Sequence, residues 1–240
     1  MVNNNTDPIW AIIPASGIGQ RMQSIIPKQY LPILGRSVIA HTLDRLFSVT
    51  DIVGIVLVLR ENDKHWQEIQ YQAEKPVHVT IGGAERLNSV MNGLRALLEL
   101  DQVNKHVLIH DAVRPLVRSI DLINVIQAAR LSDAGALLAT PITDTIKRQN
   151  SDLTVQSTLA RNGLWRALTP QVFETEMLFE ALKNVIDENL LVTDDASAIE
   201  LMGKTPKLVS ASSDNIKITC ADDLLLASQI MLSQQSEGIS

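Results

Sequence analysis

From residue 8 to residue 140, short apolar runs alternate with amphipathic stretches. "IWAIIP", Ile9 to Pro14, and "DIVGIVLVL", residues 51 to 59, are continuous apolar runs. Such runs predict strands buried on both faces. "SVIAHTLDRLFS", residues 37 to 48, spaces Val38, Leu43, Leu46 and Phe47 as a helix would. "HWQEIQYQ" predicts a short helix and "VHVTI" a short strand. "GGAERLNSVMNGLRALLEL", residues 82 to 100, places Leu87, Val90, Met91, Leu94 and Leu97 on one helical face. "KHVLIHD" predicts a strand ending in an acid. "SIDLINVIQAARL" predicts a helix with Ser119 as its N-cap, and "GALLAT" a further strand. Strand-helix alternation of this kind predicts an α/β fold: a mainly parallel sheet with helices on both faces. Ligands of such sheets bind beyond the carboxyl ends of the strands.

The rhythm breaks between residues 140 and 170. "ITDTIKRQNSDLTVQSTLA" predicts two strands joined by a turn at Asn150-Ser151-Asp152. It has few large apolar residues and cannot build a core of its own, so it is expected to protrude as a β-arm and lean on another subunit. Beyond it the pattern predicts helices near 174 to 188 and 194 to 202, a strand pair near 206 to 219, and a final helix from about Asp222. The last residues, "SQQSEGIS", are expected to fray. No repeat or linker divides the chain, so residues 1–240 are expected to form a single domain, with 141–165 as the arm.

Composition narrows the function. The chain has 240 residues, 45% of them hydrophobic, enough for one good core. The formal net charge of −6 argues against non-specific nucleic-acid binding, so any anionic ligand must be held by a local cluster of Lys and Arg. The single cysteine, Cys220, excludes an intrachain disulfide and a thiolate metal cluster. The N-terminus is polar, and no run approaches the length of a membrane span. The expectation is a cytoplasmic protein that meets no membrane.

Five regions carry candidate chemistry. After the first strand, Gly17 and Gly19 let a phosphate approach backbone N–H groups closely. A dinucleotide fingerprint would place a third glycine here and an acid after the second strand. Instead Arg21 and Lys28 follow, and Arg60 ends "LVLR". Cations at a phosphate loop suit a phosphate that reacts, because phosphoryl and nucleotidyl transfer need charge neutralised in the transition state. A second glycine loop, Gly82-Gly83, opens the helix carrying Ser89 and has room for a flat base. Asp111, just past a buried strand, is placed to hold Mg²⁺ on phosphates or to cap the next turn. Arg114 beside it suits a second anion or an ion pair. Thr193 or Asp194 reads as a helix N-cap, and Lys217 as a lysine of an alternating strand.

Eight blocks, taken together and in order, resemble the 2-C-methyl-D-erythritol 4-phosphate cytidylyltransferases. They are "PASGIGQRM", "PKQYLPILG", "GGAERLNSV", "HDAVRP", "DTIKR", "RNGLWRALTPQ", "TDDASA" and "DNIKIT", and they span about residues 9 to 225. The resemblance implies a Rossmann-like fold of the nucleotide-diphospho-sugar transferase type. It implies a Mg²⁺-dependent attack of the methylerythritol phosphate on the α-phosphate of CTP, forming CDP-methylerythritol and pyrophosphate. By position, Arg21 and Lys28 match the family's catalytic cations. Pro14, Ala15, Ser16, Gly17, Gly19, Gly83, Ala84, Ser89 and Ala112 match its CTP-binding segments. Asp111 matches the metal carboxylate. Arg114, Thr169, Thr193 and Lys217 match the sugar-phosphate side. Thr145 and Arg161 match arm residues of a homodimer whose interlocked arms help build the partner's site.

The chain departs from the family pattern at Ser16 (usually alanine), Gln20 (a basic residue), Ala84 (aspartate), Asp195 (glutamate) and Cys220-Ala221 (often proline). Two rivals stay open at this point. A ribitol 5-phosphate cytidylyltransferase shares the glycine loop and "HDAVRP", although "RNGLWRALTPQ" and "DTIK" resemble the methylerythritol enzyme better. An inactive nucleotide-binding protein would bind CTP without turnover.

Overall fold

A computed structural model of the chain describes residues 7–17, 22, 24–100 and 105–239. Arg21, Gly19 and Gln20 lie outside the described residues. The apolar runs become the strands of a seven-stranded sheet. They are β1 (Ile9–Pro14), β4 (Ile52–Leu59), β5 (Val77–Ile81), β6 (His106–Ile109), β7 (Ala136–Pro141), β10 (Trp165–Glu174) and β11 (Lys207–Ser210). The short strands β2 (Pro32–Ile33) and β3 (Arg36–Ser37) pair apart from it. The order across the sheet is β11-β7-β10-β6-β1-β4-β5. β10 alone among them runs antiparallel to its neighbours, β6 and β7.

Strand periodicity divides the core. Ile9, Ala11 and Ile13 of β1 point to one face, where α1 (Val38–Phe47) and α4 (Ser119–Arg130) cover them. Trp10 and Ile12 point to the other, against α3 (Arg86–Glu99), α5 (Thr175–Asp187) and α6 (Asp195–Leu201). A side-chain period of two sends alternate residues to opposite faces, so a strand covered on both must be apolar throughout. A third, smaller cluster seats α7 (Ala221–Ser236) on Ile33, Val38, Val113, Leu116 and Ile218. The short helix α2 is only Lys64–Glu68. Among the described residues, no helix is long and apolar enough to cross a membrane.

Three expectations need correction. The segment after β11 is not a second strand; residues 214 to 219 form a turn and an irregular stretch. Ile216 and Ile218 imitate strand alternation, but Ile218 packs under α7 and its N–H donates to the Val113 carbonyl at 3.0 Å. Lys217 therefore sits on a loop. Ser119 is the first residue of α4 rather than its N-cap, which is Arg118, and its hydroxyl instead meets that of Ser48 at 2.8 Å. The C-terminal residues to Ile239 are tied down, because Ile239 N–H donates to Gln234 and its carbonyl accepts from Arg45.

Residues 146 to 159 form a separate hairpin of β8 (Ile146–Gln149) and β9 (Val155–Leu159). Leu153 at its tip is 79% exposed and Val155 62%, so the hairpin buries little in one chain.

Candidate active site

Three strand ends of the parallel core converge. The ladder continues past the strands themselves: Ala15 N–H donates to Val58, Gly82 N–H to Leu59 and His110 N–H to Ile12. These bonds fix the loops 15–17, 82–85 and 110–114 side by side at the carboxyl edge. A cleft opens between them, lined by Pro14, Ala15, Ser16, Gly17, Lys28, Gln29, Gly83, Ala84, Glu85, Arg86, Asp111, Ala112, Val113 and Lys217.

One half of the cleft is walled by the two glycine loops, with Glu85 at their edge. The Ser16 and Ser89 hydroxyls lie 2.9 Å apart, and Gly83 N–H donates to Ser89 Oγ at 3.2 Å. Ser89 itself is buried, so it braces the two glycine loops from behind. Gly82 is required there, since an added Cβ would lie 2.7 Å from Ser16 Cβ and 2.8 Å from both hydroxyl oxygens. Gln29 locks the first loop from outside, its amide donating to the Ala15 and Gly17 carbonyls at 2.8 and 3.1 Å.

The other half is a charge cluster around Asp111. Lys217 Nζ reaches Asp111 Oδ2 at 2.9 Å, and Arg114 Nε reaches the same oxygen at 3.3 Å. Arg86 Nε reaches Oδ1 at 3.3 Å. Thr169 Oγ1 accepts from the Asp111 backbone N–H at 3.1 Å, from a point where the β10–β7 register shifts. Burial alone would raise the Asp111 carboxyl. The charges of Arg86, Lys217 and Arg114 outweigh it and hold the group well below the usual carboxylate range. His110 is buried behind, between Thr169 and the Arg114 carbonyl, and burial pushes its imidazole down to about 4. It is neutral at pH 7 and faces no nucleophile. Lys28 Nζ donates to the Ile218 carbonyl at 3.1 Å, next to Lys217 in the chain.

Most of the residues singled out in the sequence meet here: Pro14, Ala15, Ser16, Gly17, Lys28, Gly83, Ala84, Asp111, Ala112 and Lys217 on the cleft wall, with Ser89 behind it. Arg114 and Thr169 stand behind Asp111, and the Arg114 guanidinium is buried against Asp111 and the Asn215 carbonyl. Thr193 lines a neighbouring cleft with Glu85, Arg86 and Asp195, and the N-cap of α6 is Asp194. Thr145 and Arg161 are exposed at the base of the hairpin, where Arg161 donates to the Thr143 carbonyl.

Sequence reasoning missed Arg86, Asp195 as its partner, and Gln29. A signal existed for Arg86: it opens α3, where the helix dipole disfavours a cation. A cation placed there needs buried acids, and it has two.

Among the described residues two carboxylates line this cleft, Asp111 and Glu85, and Asp111 is the one at the strand edge beside the cations. Among the described residues no group of three His, Cys, Asp or Glu side chains is arranged to hold a metal. Such a donor set fits Mg²⁺, which is commonly bound by one or two carboxylates plus water and substrate phosphates.

The family model described as "IspD: 2-C-methyl-D-erythritol 4-phosphate cytidylyltransferase" matches residues 9–233. A 2-C-methyl-D-erythritol 4-phosphate cytidylyltransferase of Photobacterium profundum is 42% identical over 226 residues, covering 92% of this chain and 95% of the relative. The crystal structure of 4-diphosphocytidyl-2C-methyl-D-erythritol synthase from Anaerococcus prevotii DSM 20548 superposes with a TM-score of 0.81 at 29% identity, over 95% of this chain and 100% of that one. The 2-C-methyl-D-erythritol 4-phosphate cytidylyltransferase of Francisella tularensis superposes with a TM-score of 0.79 at 33% identity, over 93% and 99%. The family match runs over nearly the whole chain, from the first strand through the last helix, and the chain belongs to the 2-C-methyl-D-erythritol 4-phosphate cytidylyltransferase family.

Proposed function

We propose that the protein transfers the cytidylyl group of CTP to 2-C-methyl-D-erythritol 4-phosphate, releasing pyrophosphate, by in-line attack on the α-phosphate. The observation that carries this reading is one cleft that joins a glycine-loop half, at Ser16, Gly83 and Ala84, to a cationic half, at Lys28 and Lys217. A neutral base suits the first and a triphosphate the second.

A phosphate oxygen of the sugar phosphate forms the new bond to the α-phosphorus, and the bond from that phosphorus to the pyrophosphate oxygen breaks. The nucleophile is already anionic at neutral pH, so no general base is needed. The protein's work is positioning and charge neutralisation. Lys28, and Arg21 by its place in the family motif, neutralise charge developing on the α-phosphate. Lys217 is 39% exposed at its side chain and can turn from Asp111 to an arriving phosphate. Asp111 would hold Mg²⁺, which when bound neutralises phosphate oxygens.

The hairpin belongs to the same reading. A lone two-stranded hairpin is marginal in water, and its exposed Leu153 and Val155 suit a second copy of this chain. Thr145 and Arg161 at its base would then serve the partner's cleft. A cytoplasmic setting suits a chain with a single cysteine and no possible intrachain disulfide.

The test is product formation from CTP, Mg²⁺ and methylerythritol 4-phosphate, with ribitol 5-phosphate run in parallel. CDP-methylerythritol from the first acceptor alone supports the reading. Turnover with ribitol 5-phosphate alone would move the substrate, and CTP binding without turnover on either would refute the activity.

A further inference from the structure

We propose that Arg86 and Asp195 are positioning residues that keep the Asp111 carboxylate aimed into the cleft, so that α6 acts on the reaction through a two-residue relay. The inference rests on the nucleotidyl-transfer reading of the cleft.

The geometry is specific. Asp195 is buried, with a side chain 1% exposed, and takes both terminal nitrogens of Arg86: Nη1 to Oδ1 at 3.0 Å and Nη2 to Oδ2 at 2.8 Å. The remaining donor, Nε, is left for Asp111 Oδ1. A planar guanidinium held at two points has one orientation, which a lysine could not reproduce. Asp195 is itself fixed. It is the first residue of α6, and Gln171 of β10 pins that helix start, accepting from Ala196 N–H and donating to Asp194, each at 2.8 Å.

The two Asp111 oxygens are held differently. Lys217, on Oδ2, is on a loop and more than a third exposed. An incoming phosphate competes for it. Arg86, on Oδ1, has its fork committed to a buried acid and cannot follow the phosphate. When Lys217 leaves, the buried Arg114 on Oδ2 and Arg86 on Oδ1 together fix the plane of the carboxylate, and of the two it is Arg86 that is held from α6. Arg86 is also the wall between the nucleotide cleft and the cleft at Thr193, since it lines both. A shift of Asp195 is thereby transmitted to Asp111.

The experiment compares Asp195→Asn, Arg86→Lys and the double variant by steady-state kinetics, CTP binding and crystallography. An amide in place of the carboxylate breaks the fork. A misplacement of about 1 Å at a reacting centre costs roughly 100-fold, so Asp195→Asn should lower kcat by at least ~10-fold. CTP Kd should stay within ~3-fold, because Asp195 lines the neighbouring cleft and not the nucleotide cleft. The double variant should be no more than ~3-fold slower than the slower single, since either change alone breaks the relay. Losses that multiply, or a wild-type kcat in Asp195→Asn, would overturn the proposal. The crystal structure decides independently of turnover: in Asp195→Asn the Asp111 carboxylate should rotate, and an unmoved carboxylate overturns the relay. If Asp195→Asn fails to fold, Arg86→Lys is read by the same kcat and crystallographic criteria. An inactive wild type would refute the functional reading instead, leaving the crystallographic outcome to decide the relay.

Discussion

Gly82→Ala would separate the two glycine loops that wall one half of the cleft. The new methyl would sit 2.7 Å from Ser16 Cβ, where ordinary contact begins at 3.4 Å, so about 0.7 Å must be found. Rotating the hydroxyls clears the oxygens but not Cβ, whose position follows the Ser16 backbone. The loop at 15–17 must therefore move. The same displacement stretches the Ser16–Ser89 contact from 2.9 Å toward ~3.6 Å, beyond hydrogen-bond range. The lost bond costs ~1 kcal/mol and the overpacking ~1–3 kcal/mol, giving a total of ~2–4 kcal/mol. For a chain of this size, at ~2–4 °C per kcal/mol, that lowers Tm by about 4–16 °C. CTP Kd should rise by at least ~10-fold, since 1.4 kcal/mol of lost complementarity suffices. Thermal melting and titration calorimetry with CTP read both effects. Gly17→Ala is the control: a Cβ there meets nothing within 4 Å. It should leave Tm unchanged and weaken only CTP binding. A Gly82→Ala protein that melts within a degree of the wild type and binds CTP normally would refute the packing argument.

Other perturbations separate the remaining roles. Lys28→Ala should lower kcat far more than it weakens CTP binding, as expected of a contact made mainly in the transition state; pre-steady-state turnover and CTP titration together check this. Arg161→Ala should raise KM for the sugar phosphate while leaving CTP binding intact, and unchanged kinetics would remove the arm from the site. Val155→Lys should yield monomers in analytical ultracentrifugation if the hairpin joins two copies. For pH, burial lowers His110 to about 4 and also lowers His41 and His106. The unfolded imidazoles titrate near ~6.5, so between these values the unfolded chain binds protons the folded one refuses. Stability from these groups is therefore complete above ~6.5 and falls as pH drops through the window, by at most ~1.4 kcal/mol per unit per group. Urea midpoints at pH 7, 6 and 5 should show this fall, and His110→Gln should flatten it.

The core was legible because burial on both faces leaves a mark on every residue of a strand, as in β1 and β4. The glycine loops and Asp111 were legible because a parallel sheet places them by rule, at the carboxyl edge. Arg86 was not, because its meaning lies in Asp195, 109 residues away. The stretch around Lys217 misled because alternation records only that Ile216 and Ile218 are apolar. It does not record that Ile218 serves a helix rather than a sheet. In the sequence Arg114 suits either a second anion or an ion pair, and only the fold shows Asp111 and the Asn215 carbonyl enclosing it. Thr145 and Arg161 do not line the cleft of their own chain, and nothing in their local pattern says so.

The central claim is that a cytidylyl group passes from CTP to a sugar phosphate in this cleft. The most direct measurement is the fate of label from α-³²P CTP incubated with the enzyme, Mg²⁺ and methylerythritol 4-phosphate. All released label is expected in the sugar diphosphate product, with unlabelled pyrophosphate formed in equal amount. Label recovered as CMP, or remaining in CTP while the protein binds it, would contradict the account.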